Sequence, residues 1–280
     1  MNILTKIAEE NNLNLLESIP LSGGDINNVF LLKCDSKKLV VKTNIASKFP
    51  GMLEAEAKGL DLLRSSNSFK IPSVINYGVI ENTSYLLLEY IPESSTSSSF
   101  WKNFAENLAT LHKTTQPIFG LDHSNYIGSL PQYNGTETSA ADFYINQRLA
   151  PQFKMAKERG FDFSNLEVFY KNVSSEIPNE SPALIHGDLW GGNYMVSENK
   201  IPTLIDPAVS FAPREMDLAM MQLFGGFSEE VFTQYHSIFP LENNWKQRVS
   251  LWQLYYLLVH LNIFGSGYLS RVQSIVKKYQ

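Results

Sequence analysis

Residues 184–196 read LIHGDLWGGNYMV. Leu184-Ile185 and Met195-Val196 have the character of two strand ends. What lies between them (His, Gly, Asp, Trp, two more glycines and Asn) is too polar and too glycine-rich for strand or helix. The segment reads as a tight loop that presents side chains, and the rest of the chain has to be organised around it.

The chain has 280 residues, 44% hydrophobic and 12% aromatic, enough for a sizeable core in one large domain or two lobes. A net charge of −5 argues against a polyanion-binding surface while still allowing one phosphate ligand to be bound locally, and nucleic acid is not expected as a partner. Cys34 is the only cysteine, so no internal disulfide is possible and a cytoplasmic setting is expected. The N-terminal MNILTKIAEENNL has no apolar core and carries Glu9 and Glu10, unlike a signal peptide. Residues 249–270 carry no Lys, Arg, Asp or Glu, yet Gln253, His260 and Asn262 interrupt them. LWQLYYLLVHLNIF therefore reads as a buried core helix, and no membrane partner is expected.

Turn-rich connections separate ESIPLSGG, NNVFLLKC and KLVVKTN, which read as three consecutive strands. EAEAKGLDLLR has apolar residues at helical spacing, and VINYGVI and YLLLEYI are two further strands around ENTS. This predicts a five-stranded antiparallel sheet with one inserted helix. PESSTSSS at 92–99 is a low-complexity connection and a lobe boundary. Beyond it the pattern turns helical, in FWKNFAENLATLHK, AADFYINQRLAPQFKMAK, SNLEVFYKNVSSEI, REMDLAMMQLF and a C-terminal pair. The exceptions are short strands in LIH, NYMVSEN and IPTLID, which flank the opening loop. The expectation is an α+β chain: a small β lobe over 1–91 and a larger, mainly helical lobe over 92–280.

In HGDLWGGN the carboxylate of Asp188 precedes the amide of Asn193 by five residues, the offset between Asp and Asn in the protein-kinase catalytic loop. The residue types suit that chemistry. An Asp can orient a hydroxyl and accept its proton, and an Asn oxygen can ligand Mg²⁺ on phosphates. A second carboxylate, Asp206 in LIDPA, follows the predicted hairpin where kinases place a metal-bridging Asp; Pro207-Ala208 stands where protein kinases have Phe-Gly. Two ionised carboxylates about 4–6 Å apart repel by roughly 3–4 kcal/mol at an effective dielectric near 20, and a triphosphate adds to this. A divalent cation is therefore expected, held by Asn193 and Asp206, and hard oxygen donors select Mg²⁺ over zinc. Four of the five histidines lie outside the loop without metal-site spacing. Taken singly, His-Gly-Asp is an ordinary turn and Asp206 a strand-end residue; taken together and in order they point to phosphoryl transfer from ATP.

The first lobe supplies the remaining candidates. Gly23 and Gly24 in SGGD occupy the first hairpin turn, where backbone N–H groups can approach phosphates, although most Gly-Gly pairs are plain turns. Lys42 ends VVK on the third strand, the place of a phosphate-pairing lysine. Glu56 on the next helix is its chosen partner and Glu54 the competitor, with helix register deciding. Glu89 and Ile91 end the fifth strand, where backbone groups would bond adenine. Asp217 in REMDLAM caps its helix or braces the loop, His186 holds the loop by hydrogen bonds, and Cys34 and Met220-Met221 are packing residues.

These stretches resemble the fructosamine/ketosamine-3-kinases, relatives of the aminoglycoside phosphotransferases with a protein-kinase-like two-lobe fold. The resemblance is carried by MLEAE at 52–56, NYIGSLPQYN at 125–134, FYINQRLAPQ at 143–152, HGDLWGGN at 186–193, the segment IDPAVSFAPREMDLAMMQLFGGF at 205–227, and LYYLLVHLNIFGSGYL at 254–269. It implies ATP-dependent phosphorylation of the 3-hydroxyl of a ketosamine, a sugar joined to an amine by glycation, and hence deglycation. Asp188 would take the hydroxyl proton, and Trp190 could stack on the sugar or pack beneath the loop. Some relatives carry a cysteine in the glycine-rich loop; Asp25 stands in that region here, so redox control is not expected. An aminoglycoside or choline phosphotransferase and a nucleotide-binding scaffold are the alternatives. The sugar, its carrier and the oligomeric state stay open.

Overall fold

The structure is a computed structural model that describes residues 2–21, 26–35 and 37–280. The chain forms two compact units, Met1–Phe100 with Gly192–Pro207, and Trp101–Gly191 with Ala208–Gln280.

In the first unit, α1 (Ile3–Glu10) precedes β1 (Leu15–Leu21), β2 (Asn28–Cys34) and β3 (Lys38–Ile45). Then come α2 (Met52–Ser65), β4 (Val74–Ile80) and β5 (Thr83–Glu89). The strands pair antiparallel in the order β1-β2-β3-β5-β4, the expected five-stranded sheet. Strand alternation divides its two faces. Leu39 and Val41 join Tyr85, Leu87 and Leu32 in a cluster with Leu4 and Ile7 of α1. The intervening Lys42 and Asn44 point to α2, where they meet Glu56 and Met52. On α2, Leu53, Ala57, Leu60 and Leu63 are buried at helical spacing, which fixes the face this helix turns to the sheet.

An antiparallel hairpin of Tyr194–Val196 and Pro202–Leu204 belongs to the same unit. Its backbone is tied there: Ser94 N–H donates to the Val196 carbonyl at 2.8 Å, and Leu204 N–H donates to the Lys70 carbonyl at 3.1 Å. This division differs from the expected boundary at 91, because hydrogen bonds between distant segments, rather than sequence position, assign residues 192–207 to the first unit.

The second unit is mainly helical. After α3 (Phe100–Lys113) comes a short hairpin of Asn125–Ile127 and Leu130–Gln132. A helix then runs from Ala140–Asp142 through π-helical Phe143–Leu149 into α4 (Ala150–Glu158), followed by α5 (Leu166–Glu176). Two short strands, β6 (Ala183–Ile185) and β7 (Ser210–Ala212), pair antiparallel with Ile185 opposite Ser210. Helices α6 (Glu215–Phe224), α7 (Glu229–Ile238), α8 (Trp245–Phe264) and α9 (Leu269–Lys278) complete it. The uncharged stretch is the core helix expected: Leu251, Leu254, Leu257, Leu258 and Leu261 of α8 lie at the centre of the cluster with Phe143, Phe169, Met220 and Val272. Among the described residues no helix is long and apolar enough to cross a membrane.

Candidate functional site

The first unit brings four of the candidates together. Lys42 Nζ, on a central strand, bonds Glu56 Oε1 of α2 at 2.7 Å and also the carboxylate of Asp206. The choice between the glutamates follows from register. Glu56 shares the buried stripe of Leu53, Leu60 and Leu63, whereas Glu54 is turned outward and pairs with Lys58 at 2.8 Å. Burial alone would lower the pKa of Lys42, but Asp206 and Glu56 outweigh it and hold the ammonium above its ordinary value. Burial raises that of Glu56 against the opposing pull of Lys42, since one cation does not fully compensate two carboxylates.

Asn193 and Asp206 stand at the two ends of the hairpin. Ile205 N–H donates to the Asn193 carbonyl at 3.1 Å, and Asn193 Nδ2 donates to the Asp206 carbonyl at 3.4 Å. Asp206 has φ +55°, a left-handed conformation uncommon outside glycine. The amide oxygen of Asn193 and the carboxylate of Asp206, itself one of two carboxylates around the single cation Lys42, form a hard-oxygen donor pair that fits Mg²⁺. Among the described residues there is no group of three or more His, Cys, Asp or Glu side chains able to hold a metal ion; Mg²⁺ commonly takes one or two protein carboxylates plus substrate phosphates and water.

Glu89 N–H donates to the Ser73 carbonyl at 2.9 Å, so a base could be met only by the carbonyl of this residue. Ile91 is buried just beyond the strand. Gly23 and Gly24, with Asp25, lie outside the described residues.

The second unit holds the loop up to Gly191. Strand β6 delivers His186 and Gly187, whose backbone N–H groups donate to Asp217 Oδ2 and Oδ1, each at 2.8 Å. Asp217, in the first turn of α6, is thus the brace of the loop, one of its two expected roles. Asp188 N–H donates to His186 Nδ1 at 3.3 Å, so the imidazole carries its proton on Nε2 and holds the loop as expected. Leu189 is fully buried, Asp188 is half-buried, and Trp190 is 41% exposed. Gly187 has φ +82°, and a Cβ there would come within 2.0 Å of the Ala208 carbonyl oxygen. Only glycine fits this turn.

Sequence reasoning missed His112 of α3. It is fully buried, with Nε2 3.2 Å from Asp217 Oδ2 and Nδ1 2.8 Å from the Tyr235 hydroxyl. Its place in ENLATLHK, at the end of an amphipathic helix, marks it as core-facing. Its partner lies 105 residues on, and no local pattern could have named it.

The profile of the family described as fructosamine kinase matches residues 2–280. The chain belongs to the fructosamine kinase family. It is 37% identical over 267 residues to a protein named probable ketoamine kinase from Enterococcus faecium, covering 93% of this chain and 94% of the relative. The protein-ribulosamine 3-kinase, chloroplastic, of Arabidopsis thaliana is 32% identical over 272 residues, covering 92% and 81%. Among solved structures, a candidate fructosamine-3-kinase from Haemophilus somnus superposes with a TM-score of 0.89 at 30% identity, covering 98% of this chain and 95% of that one. An aminoglycoside phosphotransferase, APH(4)-Ia, in ternary complex with AMP-PNP and hygromycin B gives a TM-score of 0.67 at 16% identity, covering 99% and 98%; this likeness concerns the fold alone. The chain is therefore a phosphotransferase of the ketoamine kinase group with a kinase-like α+β fold, and a kinase of this family implies ATP as donor.

Proposed function

We propose that this fructosamine kinase relative phosphorylates the 3-hydroxyl of a ketosamine (a ribulosamine or fructosamine adduct on an amine or protein) and so initiates deglycation in the cytoplasm. The observation that carries the reading is the buried Lys42, bonded at once to Glu56 and to Asp206, the residue that shares a hairpin base with Asn193. A scaffold has no need to bury such a charge cluster, because isolated buried charges are costly unless paired and used.

In this reading Lys42, oriented by Glu56, pairs with ATP phosphates, and backbone groups of Glu89 and Ile91 meet the adenine. Gly23 and Gly24, outside the described residues, are assigned to phosphate contact on their sequence alone. Asn193 and Asp206 hold Mg²⁺, which supplies neutralisation of the charge on the phosphate oxygens. Asp188, carried by a loop whose backbone is clamped by Asp217, orients the sugar hydroxyl and accepts its proton as the phosphoryl group is transferred. The exposed indole of Trp190, two residues on, offers an apolar face to the sugar.

The test is Mg²⁺-dependent ADP release from ATP with ribulosyl-lysine, fructosyl-lysine, choline and kanamycin, with D188N beside the wild type. Turnover of a ketosamine that D188N abolishes is the expected result, and it names the sugar. Turnover of kanamycin or choline alone keeps the mechanism and overturns the substrate. Tight ATP binding without turnover of any acceptor overturns the enzymatic reading in favour of a scaffold.

A further inference from the structure

The segments NYIGSLPQYN and LYYLLVHLNIFGSGYL contribute none of the groups above. In the second unit they converge on the peptide that backs the catalytic loop. Ala208 N–H donates to the His186 carbonyl at 2.9 Å, and the Ala208 carbonyl oxygen faces Gly187 so closely that no Cβ fits between them. That carbonyl accepts a hydrogen bond from Gln132 Nε2 at 3.0 Å. The carboxamide of Gln132 is itself held at both ends. Its Oε1 accepts the Tyr255 hydroxyl at 2.7 Å, and its Nε2 also donates to Asn125 Oδ1 at 2.8 Å.

The network continues on the far side. Asn125 Nδ2 donates to the Val209 carbonyl at 2.9 Å, and Asn134 Nδ2 donates to Asn125 Oδ1 at 3.1 Å. Arg148 Nη2 donates to Asn134 Oδ1 at 2.8 Å and to Ser210 Oγ at 3.0 Å. Gln132, Asn125, Asn134, Arg148 and Tyr255 are each at most 5% exposed. A polar network this deep is rigid where its members are satisfied; here the carboxamides and the Tyr255 hydroxyl are bonded, while Arg148 Nε has no hydrogen-bond partner among the described residues. The loop is thus clamped from two directions: Asp217 takes the N–H groups of His186 and Gly187, and Ala208, fixed by Gln132, backs the same two residues. The negative charge of Asp188 is felt at the Tyr255 hydroxyl, whose pKa burial raises and Asp188 raises further against the pull of Arg148.

We propose that Gln132 is a positioning residue for phosphoryl transfer: held by Tyr255 and Asn125, it fixes the Ala208 carbonyl against Gly187 and thereby the direction in which Asp188 leaves the loop. This rests on the reading of Asp188 as the base. Gln132 touches no reacting atom; it acts through one peptide. Its loss therefore lowers the rate of transfer and leaves nucleotide binding in place.

The test compares Q132M, which keeps the volume and removes the donor, and Y255F, which removes the hydroxyl that orients Gln132, with the wild type. Y144F serves as the control, since it removes a neighbouring buried hydroxyl, bonded at 2.5 Å to the Leu251 carbonyl and beside the Tyr255 backbone, while leaving the Tyr255–Gln132 side-chain bond in place. With whichever ketosamine the wild type turns over, kcat falls about 10- to 100-fold in Q132M, the scale of a small misplacement of a reacting group. Y255F loses less, Y144F keeps its kcat, and KM for ATP stays within about twofold throughout. Hydrogen exchange followed by mass spectrometry on the peptide 184–191 becomes faster in Q132M and stays at the wild-type rate in Y144F. A Q132M whose kcat matches Y144F, whose defect lies in KM alone, or whose exchange at 184–191 is unchanged overturns the proposal. A wild type inactive on every ketosamine overturns the functional reading instead, and the exchange comparison then decides the positioning by itself.

Discussion

Lys42 and Glu56 are fourteen residues apart on β3 and α2, and their side chains meet at 2.7 Å with only 7% and 11% of their surfaces exposed. The pair depends on a strand that turns Lys42 towards α2 and on a helix register that turns Glu56 towards the sheet. Removing the ammonium in K42M takes away the proposed phosphate partner, and kcat/KM for ATP is expected to fall about 10²–10³-fold. E56Q keeps the shape and loosens the orientation of Lys42, with an expected loss of roughly tenfold. E54Q, which alters only an exposed i,i+4 pair, stays at wild type. Steady-state kinetics with varied ATP check all three.

Asp188→Asn keeps the size of the side chain and the backbone bond from Asp188 N–H to His186 Nδ1, so the loop is expected to be preserved. The variant is expected to keep its melting temperature and to lose about 10²–10⁴ in kcat, the range assigned to a positioned general base. Calorimetry and ADP release measured on one preparation separate the two effects.

Asp217→Ala leaves the N–H groups of His186 and Gly187 and the imidazole of His112 without their shared acceptor. Buried donors deprived of a charged partner predict a loss of about 3–5 kcal/mol, read from urea unfolding, together with loss of turnover. H112Q removes only one contact of Asp217 and is expected to cost about 1–2 kcal/mol.

Gly187→Ala combines a left-handed backbone with a Cβ 2.0 Å from a carbonyl oxygen that cannot move away. Gly265→Ala shares the positive φ, +87°, but its Cβ meets nothing within 4 Å. G265A is therefore expected to cost only about 1–2 kcal/mol, the penalty of the left-handed backbone. G187A is expected to exceed it clearly or to yield insoluble protein. Equal melting temperatures for the two variants would contradict this assignment.

His260 donates from Nδ1 to the Tyr256 carbonyl at 2.8 Å amid the rings of Phe224, Phe264 and Tyr268. Burial lowers its pKa, and the bond to Tyr256 opposes that shift without cancelling it. Below pH 6.5 the unfolded chain therefore binds a proton that the folded chain resists. Stability rises with pH through this window and is lost as pH falls, with a slope of at most about 1.4 kcal/mol per pH unit. H260Q is expected to flatten the change in melting temperature between pH 5 and 7.5.

Local pattern made much of the molecule legible. Turn-rich connections between strand-like runs located the five strands, and the uncharged run of LWQLYYLLVHLNIF located the core helix. Even the choice of Glu56 over Glu54 is written in the chain, because Glu56 falls on the stripe of Leu53, Leu60 and Leu63 and Glu54 does not. Other relations left no local trace. The strand β7 is three residues long and exists through its pairing with β6. The π-helical turn at Phe143–Leu149 lies inside a stretch whose periodicity reads simply as helix.

The sequence by itself supplied the candidates for the proposed chemistry: Asp188, Asn193 and Asp206 in order around a predicted hairpin, a strand lysine and a helix glutamate, each picked out by spacing of a few residues. The tertiary structure alone decided which distant groups hold the segments that carry those candidates. Asp217 clamps the loop across about 30 residues, His112 backs Asp217 across 105, and Gln132 reaches Ala208 across 76. It also assigned the hairpin to the first unit, beside Lys42. The physical reason is common to all of these: a buried hydrogen bond is set by where two polar groups are forced to leave water together, and that is a property of the packed core rather than of either local sequence.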